Sequence, residues 1–193
     1  MDLNLNISCI NLLNDIDSLD FFEKLEEKII YQNDPKVFIF NKFLSIKRKQ
    51  QGYGDENISY TFNKCKVVAL PWLPELLQLR DLIYEKTNYK YNFVLVNRYQ
   101  NNSDYIGFHR DDEKELDDVI PIASLSLGDS RKFKMKRTKM IGPLKVDLNA
   151  DMELKSGMLL MFDKKTNKYW YHSLPKTSVS KNVRLNLTFR SIM

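Results

Sequence analysis

The pattern of apolar and polar positions predicts two helices in the N-terminal half of the chain. In "DFFEKLEEKII" (residues 20–30) apolar side chains recur at helical spacing, and Asp20 stands where a helix N-cap is expected. In "PELLQLRDLIYEK" (residues 74–86) Pro74 suits a first helical turn, and the leucines that follow form an apolar stripe. Both segments are therefore predicted to be amphipathic helices that pack against a core.

From residue 91 onward the apolar positions recur at every second residue, which is the period of a strand. Five short runs of this kind are separated by turn signals: "YNFVLVNRY" (91–99), "IPIASLSLG" (120–128), "RKFKMKR" (131–137), "GMLLMF" (157–162) and "VRLNLTFR" (183–190). Several short strands with few helices between them predict a mainly β (α+β) fold, in which a sandwich or jelly-roll core is flanked by the two helices.

The last of these runs carries a distinctive polar face. Its apolar residues alternate with four polar ones, Arg184, Asn186, Thr188 and Arg190. Side chains two apart in a strand point the same way, so the two arginines could together clamp a carboxylate or a phosphate. The alternative is the solvent-exposed face of an edge strand, and the strand taken alone favours it because such alternation is common in antiparallel sheets.

Composition narrows the class of protein. With 193 residues, 43% of them hydrophobic, the chain is expected to form one globular domain. Its two cysteines cannot build a disulfide framework, and no segment has the features of a secretory signal or of a membrane span. We therefore expect an intracellular protein, nuclear or cytoplasmic, that is neither secreted nor bound to a membrane. The net charge of +5 is compatible with a polyanionic partner without requiring one.

The chain has two histidines, and both lie near candidate metal-ligand chemistry. His109 stands inside the densest acidic run, "YIGFHRDDEKELDD", and in an extended segment it shares a face with Asp111. His172 lies far along the chain in the aromatic cluster "YWYHSLP". Two histidines and one carboxylate are the ligands of many non-haem iron oxygenases. By itself the pattern is a weak signal, and an ordinary surface ion pair is the alternative.

A 2-oxoglutarate co-substrate would connect the histidines with the arginine face. The keto-acid end of 2-oxoglutarate chelates the iron of such sites, and its far carboxylate needs a positively charged partner. Arg184 or Arg190 would supply that partner through a charge-assisted pair. The pattern thus predicts one pocket that contains both the metal ligands and the arginines.

Four stretches in one colinear order resemble the AlkB family of Fe(II)/2-oxoglutarate-dependent dioxygenases, and within it the animal homologue that repairs alkylated duplex DNA: "YNFVLVNRYQNNSDYIGFHRDDE", "PIASLSLG", "WYHSLP" and "RLNLTFR". The resemblance covers roughly residues 37–192. It implies a double-stranded β-helix, a jelly roll, with flanking N-terminal helices and a nucleotide-recognition lid over its mouth.

The resemblance also implies a division of the chain within a single structural domain. Residues 1–36 would form an N-terminal helical segment, and residues 37–193 would form the dioxygenase domain. Within that domain the lid would occupy about residues 37–65 and the jelly-roll core about residues 91–192.

Roles for individual residues follow from the same resemblance. The catalytic metal ligands would be His109, Asp111 and His172. The residues that hold 2-oxoglutarate would be Asn97, Tyr99, Arg184, Thr188 and Arg190. The contacts to the nucleic-acid substrate would come from Phe40, Asn41, Lys42, Arg48, Tyr60, Thr61, Phe62, Asp112 and Glu113.

Two of these assignments carry most of the substrate prediction. Phe40 matches the finger residue that enters a duplex, although Asn41 replaces the glycine that usually follows it. Phe62 and His109 match the pair that sandwiches a flipped base, and Asp112 and Glu113 match residues that line the base pocket. The remaining acids of the run are expected to be solvated surface.

The implied activity is DNA repair by oxidative demethylation of 1-methyladenine and 3-methylcytosine. The reaction would use Fe(II) as a cofactor, consume O2 and 2-oxoglutarate, and release formaldehyde. The base would be flipped out of the stack. A positively charged lesion would account for an acidic run in a basic chain. The expected partner is alkylated DNA, duplex or single-stranded, bound by a monomer. An RNA demethylase on the same scaffold and a non-catalytic nucleic-acid-binding module are the alternatives.

Overall fold

The computed structural model describes residues 4–141 and 144–193. The helices are α1 (Asp15–Lys28), α2 (Pro74–Thr87) and α3 (Lys164–Tyr169). The strands are β1 (Ile7–Asn11), β2 (Lys36–Ile39), β3 (Lys42–Ser45), β4 (Lys49–Gly54), β5 (Ser59–Phe62), β6 (Cys65–Pro71), β7 (Phe93–Tyr99), β8 (Ile106–His109), β9 (Ile122–Gly128), β10 (Arg131–Ile141), β11 (Leu144–Leu154), β12 (Met158–Phe162), β13 (Tyr171–Leu174) and β14 (Arg184–Arg190).

Both predicted helices are present, but the predicted cap of the first one is wrong. Helix α1 begins upstream of Asp20, because the side chain of Asn14 accepts a hydrogen bond from the backbone N–H of Asp17 at 2.9 Å and so caps the first turn. Asp20 lies inside the helix and pairs with Lys24. Helix α2 starts at Pro74, as predicted. No helix in the described part of the chain has both the length and the apolar composition that a membrane crossing requires.

The larger of the two main sheets has eight strands in the order β1-β12-β9-β14-β7-β4-β6-β5. Strand β14 is hydrogen-bonded to β9 on one side and to β7 on the other, so it lies in the middle of the sheet. Its polar face is buried, since Arg184 is 2% exposed and Arg190 is 4% exposed. The interpretation of this strand as an exposed edge strand is therefore wrong, and a buried arginine face needs a partner.

The smaller sheet has four strands in the order β11-β10-β13-β8. Apolar side chains of both sheets meet in one core cluster, in which Phe93 and Leu95 of the large sheet lie with Phe133 and Met135 of the small sheet. A second cluster fills the space between the large sheet and helices α1 and α2. Two facing sheets with helices on the outside confirm the predicted mainly β jelly roll.

The N-terminal segment, which was expected to be helical, also contributes a strand. Strand β1 pairs with β12 in an antiparallel register that places Ile7 opposite Phe162. This pairing attaches the start of the described chain to the edge of the large sheet, and helix α1 follows directly from it.

Leu25 provides a test of how the first helix is anchored. Its side chain is fully buried in the cluster between α1 and the large sheet. Leu25→Ala is expected to lower the free energy of unfolding by about 2–5 kcal/mol, because it removes buried apolar contacts and leaves a cavity. Urea denaturation measures the change. Leu19→Ala, in the same helix but at a position 55% exposed, is the matched control and should change stability by less than about 0.5 kcal/mol.

Candidate active site

Three potential metal ligands come together at the mouth of the jelly roll. His109 ends β8, and His172 lies directly opposite it on β13. The centroids of their rings are 4.2 Å apart. Asp111 follows β8 on the same segment, and one ligand atom from each of the three residues lies within 4.8 Å of the others. A single metal ion could therefore contact all three side chains.

The state of the two histidines suits a metal ligand. The Nδ1 atom of His172 is buried and has no hydrogen-bond partner within residues 4–141 and 144–193. Burial, and then the neighbouring His109, lower the pKa of His172 to about 3, so its ring is neutral near pH 7. His109 Nδ1 lies 2.9 Å from the carbonyl oxygen of Gly107, and donation to that carbonyl would leave Nε2 free to bind a metal.

Asp111 is held as a carboxylate by its surroundings. Burial alone would raise its pKa, but the charge of Arg190 and the hydrogen bond from it outweigh burial and hold the pKa well below its usual range. Arg190 Nη2 donates a hydrogen bond to Asp111 Oδ2 at 2.7 Å. The other oxygen, Oδ1, lies 3.6 Å from His109 Nε2. Two neutral imidazoles and one ionised carboxylate fit Fe(II) well.

Arg184 is the second buried arginine of β14, and it lacks an acidic partner among the described residues. Its Nη2 donates to Ser126 Oγ at 2.9 Å, while its buried Nε has no hydrogen-bond partner in the part of the chain that the structure describes. Burial lowers its pKa to about 10, which still leaves the guanidinium charged near pH 7. A buried charge without a counter-ion is costly, so this site is suited to an anionic ligand.

A cavity of about 520 Å³ connects these groups. Predicted site residues that line it are Arg48, Tyr60, Phe62, Asn97, Tyr99, His109, Asp111, Asp112, Glu113, His172, Arg184, Thr188 and Arg190. Four others lie outside the lining: Phe40, Asn41, Lys42 and Thr61. The structure thus brings the predicted metal and 2-oxoglutarate residues into one cavity. Strands β2 and β3 contribute to the lining through residues such as Val37 and Leu44, while the predicted residues at the turn between them lie outside it.

One wall of the cavity combines aromatic and acidic side chains. Tyr60 donates a hydrogen bond to Glu113 Oε2 at 2.7 Å, and the ring of Phe62 lies 5.5 Å from that of Tyr60. Burial and the nearby Asp111 raise the pKa of Glu113 to about 7. This wall offers carboxylate oxygens and ring faces, which are the groups that a flat cationic ligand would contact.

Two predicted substrate residues make contacts within the protein. Arg48 was expected to reach the nucleic-acid backbone, and here its Nε donates to Asn97 Oδ1 at 2.6 Å inside the cavity. The half-exposed side chain of Asp112 pairs with Arg110 at 2.8 Å. Both side chains therefore line the cavity and have partners within the protein.

The hairpin formed by β2 and β3 projects an aromatic residue into solvent. Its two turn residues, Phe40 and Asn41, both have positive φ angles, of 50° and 58°. Asparagine tolerates this conformation, which explains how Asn41 can stand where the resemblance leads one to expect glycine. Phe40 adopts this conformation too, which is rare for a bulky residue. Its side chain is 91% exposed. Lys42 begins β3 directly beside this tip.

The acidic run after the metal ligands is less solvated than expected. Glu115 Oε2 accepts a hydrogen bond from the backbone N–H of Thr61 at 3.3 Å. Asp117 Oδ1 accepts from the backbone N–H of Val119 at 2.7 Å and so holds the turn that follows. Only Asp118, which pairs with Lys164, matches the expectation of an exposed surface acid.

Sequence reasoning did not identify several residues that support the site. Phe133 stacks on the ring of His172 with centroids 5.5 Å apart, and Phe162 contacts the same ring. Ser126 bonds Arg184, and Ser124 Oγ accepts from the side chain of a neighbouring polar residue on β14. The alternation of serine with apolar residues in "IASLSLG" was an available signal, because it places both serines on one face.

A jelly roll with two histidines, a carboxylate and a buried arginine face in one cavity defines a non-haem Fe(II) oxygenase that uses a keto-acid co-substrate. The chain belongs to the 2OG-Fe(II) oxygenase superfamily, whose family model matches residues 18–190. The predicted use of Fe(II), 2-oxoglutarate and O2 is thereby confirmed at the level of the family.

Similarity to individual proteins places the chain among the AlkB homologues, as predicted. It is 42% identical over 176 residues to the DNA oxidative demethylase ALKBH2 of Mus musculus, covering 89% of this chain and 74% of that protein. It is 40% identical over 178 residues to ALKBH2 of Homo sapiens, covering 90% and 68%. Alpha-ketoglutarate-dependent dioxygenase alkB homolog 3 of Bos taurus is 35% identical over 144 residues, covering 72% and 50%.

The fold has a solved counterpart. The structure of OsALKBH1 superposes on this one with a TM-score of 0.61. The superposition covers 96% of this chain and 97% of the OsALKBH1 chain. The sequence identity is 17%, so this likeness concerns the fold alone.

Proposed function

We propose that this chain is a DNA-repair dioxygenase that oxidatively demethylates N-alkylated bases such as 1-methyladenine and 3-methylcytosine. The observation that carries the proposal is that the His109, Asp111 and His172 cluster shares one cavity with an acidic and aromatic wall. The similarity to proteins named DNA oxidative demethylase supports the same substrate class.

The reaction proposed here removes one N-methyl group. The cationic methylated base, O2 and 2-oxoglutarate are consumed, and the neutral unmodified base, formaldehyde, succinate, carbon dioxide and one proton are formed. Bound Fe(II) supplies the oxidation chemistry together with O2 and 2-oxoglutarate. The contribution of His109, Asp111 and His172 is to hold that ion, while Arg190 keeps Asp111 ionised and oriented.

The two buried arginines of β14 have different roles in this proposal. Arg190 already pairs with Asp111, whereas the charged guanidinium of Arg184 has no acidic partner among the described residues and donates to Ser126 Oγ. We therefore assign the far carboxylate of 2-oxoglutarate to Arg184, through a charge-assisted pair. Asn97, Tyr99 and Thr188 complete this binding region, since they line the same cavity.

The flipped base occupies the acidic and aromatic wall in this proposal. N-alkylation at the Watson–Crick edge gives the base a positive charge, which the carboxylates of Glu113 and Asp112 would stabilise. The rings of Phe62 and His109 would sandwich the base, and Tyr60 would orient Glu113 through their hydrogen bond. The modified edge is inaccessible in a stacked duplex, so the base must leave the helix.

The exposed hairpin tip acts on duplex DNA in this proposal. Phe40 would fill the gap that the flipped base leaves in the stack, with Asn41 and Lys42 beside the backbone. Arg48 and Thr61 belong to the same lid region, where Arg48 would reach the substrate from the mouth of the cavity.

Phe40→Ala tests that role. Demethylation of a duplex substrate is expected to fall about tenfold or more, because the variant cannot offset part of the unstacking cost of a few kcal/mol. A single-stranded substrate should react within about twofold of the parent rate, since it has no gap to fill. Initial rates on both substrates measure the ratio. Phe43→Ala, in the same hairpin but packed on Phe38, is the control, and an equal loss there would point to the hairpin's folding instead.

Further parts of the proposal concern the organisation of the protein. The protein acts as a monomer in the nucleus or cytoplasm, and RNA is an alternative substrate.

Residues 37–193 form the dioxygenase domain, with the lid at about residues 37–65 and the jelly-roll core at about residues 91–192. Size-exclusion chromatography with light scattering would test the monomer.

The proposed function is tested by mass spectrometry of a 1-methyladenine oligonucleotide, single-stranded and in duplex. The oligonucleotide is incubated with protein, Fe(II), 2-oxoglutarate and ascorbate. Loss of the mass of one methylene group, dependent on both iron and 2-oxoglutarate, is the expected result. Succinate formation without any loss of mass would contradict the assigned substrate while leaving the oxygenase chemistry intact.

A further inference from the structure

Four side chains next to the metal centre form a surface that the proposed reaction does not use. They lie on or directly beside strands β8, β10 and β13 of the small sheet, and we call them the aromatic–basic surface: Phe108, Arg110, Lys136 and Tyr171. Phe108 and Arg110 flank the metal ligand His109 in sequence, and Tyr171 precedes His172. Because successive side chains of a strand point to opposite faces, Phe108 and Tyr171 point away from the side to which the histidines point.

The four side chains are in contact across three strands. Lys136 on β10 is the cross-strand partner of Tyr171 on β13. The Lys136 Nζ atom lies 4.1 Å from the centroid of the Phe108 ring on β8. The guanidinium of Arg110 lies 4.8 Å from the centroid of the Tyr171 ring. Each aromatic ring is thus held against one cation, and the surface is continuous.

The aromatic rings remain available to a partner. Phe108 is 41% exposed and Tyr171 is 40% exposed, although each contacts a cation. Exposed aromatic side chains interleaved with basic ones are the combination that binds single-stranded nucleic acids, in which bases stack on rings and cations contact phosphates. The surface also reaches the cavity mouth, because Phe108, Arg110 and Tyr171 belong to the cavity lining.

Of the cations on this surface, Lys136 is the one whose charge is available to a ligand. No carboxylate among the described residues pairs with Lys136, whereas Lys132, four positions before it on the same face of β10, pairs with Asp151 at 3.2 Å. Arg110 shares its charge with Asp112 and also donates to the carbonyl oxygen of Lys168. Lys136 is therefore the cation best placed to contact a phosphate.

We propose that the aromatic–basic surface binds the single-stranded DNA that flanks the lesion, with unpaired bases stacked on Phe108 and Tyr171 and a phosphate on Lys136. This inference rests on the proposed function, since it assigns a strand form to the same substrate. A duplex cannot use the surface in this way, because its bases are already stacked on each other. The surface accordingly increases affinity for unpaired DNA over duplex DNA.

The test is the affinity of the full chain for an unmodified single-stranded oligodeoxynucleotide, measured by fluorescence anisotropy. Phe108→Leu and Tyr171→Leu keep an apolar side chain but lose the ring face, and each is expected to weaken binding about tenfold. Lys136→Gln is expected to reduce the salt dependence of binding, with the slope of log affinity against log salt changing by about 0.7 for one lost phosphate contact on a single strand.

The chain offers matched controls for both kinds of variant. Tyr84 on α2 is 39% exposed and also lies against a lysine, Lys90, at 5.6 Å, so Tyr84→Leu removes an equivalent ring elsewhere. Lys132→Gln removes a lysine from the same face of the same strand as Lys136. Both control variants should bind the oligonucleotide as the parent does.

The proximity of Phe108 to His109 requires a second measurement. Demethylation of a single methylated nucleotide, which has no flanking strand, should be unchanged in Phe108→Leu and Tyr171→Leu, while the KM for a methylated single-stranded oligonucleotide rises. Equal losses on the nucleotide and the oligonucleotide would overturn the proposal, because they would indicate a disturbed metal site. Unchanged single-strand affinity, or equal weakening for single strand and duplex, would also overturn it. If neither the parent protein nor any variant demethylates any substrate, the proposed function fails. The anisotropy measurement still decides in that case whether the surface binds single-stranded DNA.

Discussion

Asp111→Ala is expected to abolish demethylation, with turnover at least about a thousandfold below that of the parent protein. The substitution removes the only carboxylate of the three-residue metal cluster and leaves two imidazoles to hold the ion. It also leaves Arg190 buried without its 2.7 Å partner. Loss of one member of a buried ion pair costs about 3–5 kcal/mol, so the variant should also be less stable.

Three measurements separate the chemical from the structural effect. Bound iron is measured by elemental analysis, stability by urea denaturation and DNA affinity by anisotropy. Asp111→Asn is included because its amide oxygen can still accept a hydrogen bond from Arg190, and it should lose iron and activity while remaining folded. Asp118→Asn, at an exposed acid of the same run, is the control and should behave as the parent. Full activity with bound iron in a folded Asp111→Asn variant would refute the metal role of Asp111.

Arg184→Gln is expected to raise the KM for 2-oxoglutarate by about a hundredfold or more. Its guanidinium is the buried cation of this cavity without an acidic partner among the described residues, and its Nε is unsatisfied. An interaction between a buried charge pair is worth about 2–5 kcal/mol when one partner is removed, which corresponds to this range of affinity. Binding of the methylated DNA should be unaffected, because the base wall lies around Tyr60 and Glu113.

Initial rates at varied 2-oxoglutarate concentration measure the change, with succinate as the product followed. Arg98→Gln is the matched control: Arg98 lies on the neighbouring strand β7, but it pairs with Glu26 of α1 on the opposite face of the sheet. Its KM for 2-oxoglutarate should equal that of the parent. An unchanged KM in Arg184→Gln would transfer the carboxylate-binding role to Arg190.

Much of the fold could be predicted because its signals are local. Period-two alternation marks β7, β9, β12 and β14, and helical spacing marks α2 to within one residue of its observed end. Helix α1 was predicted to begin too late because the capping side chain, Asn14, precedes the apolar stripe that the pattern detects, and its predicted end lies two residues beyond Lys28. Strand β1 was missed because it is a short edge strand, and only its pairing with β12 reveals it.

The residues of the candidate site could be predicted from the sequence, but which of them pair with each other could not. The sequence identified His109, Asp111 and His172 as a group, and the structure brings them within 4.8 Å. It left Arg184 and Arg190 as equal candidates for the carboxylate of 2-oxoglutarate. Their surroundings differ, because Arg190 bonds Asp111 whereas Arg184 has no acidic partner among the described residues, and our assignment of the carboxylate to Arg184 rests on that difference.

The sequence by itself determined which residue types are available and which of them share a strand face, since both follow from side-chain chemistry and the backbone period. Only the tertiary structure decided that β14 is central, that its polar face is buried and that Asp111 neutralises one of the two arginines. Asp111 and Arg190 are 79 positions apart in the chain, so their contact depends on how the sheets close around the cavity. No local pattern contains that information, because it is set by the packing of distant strands.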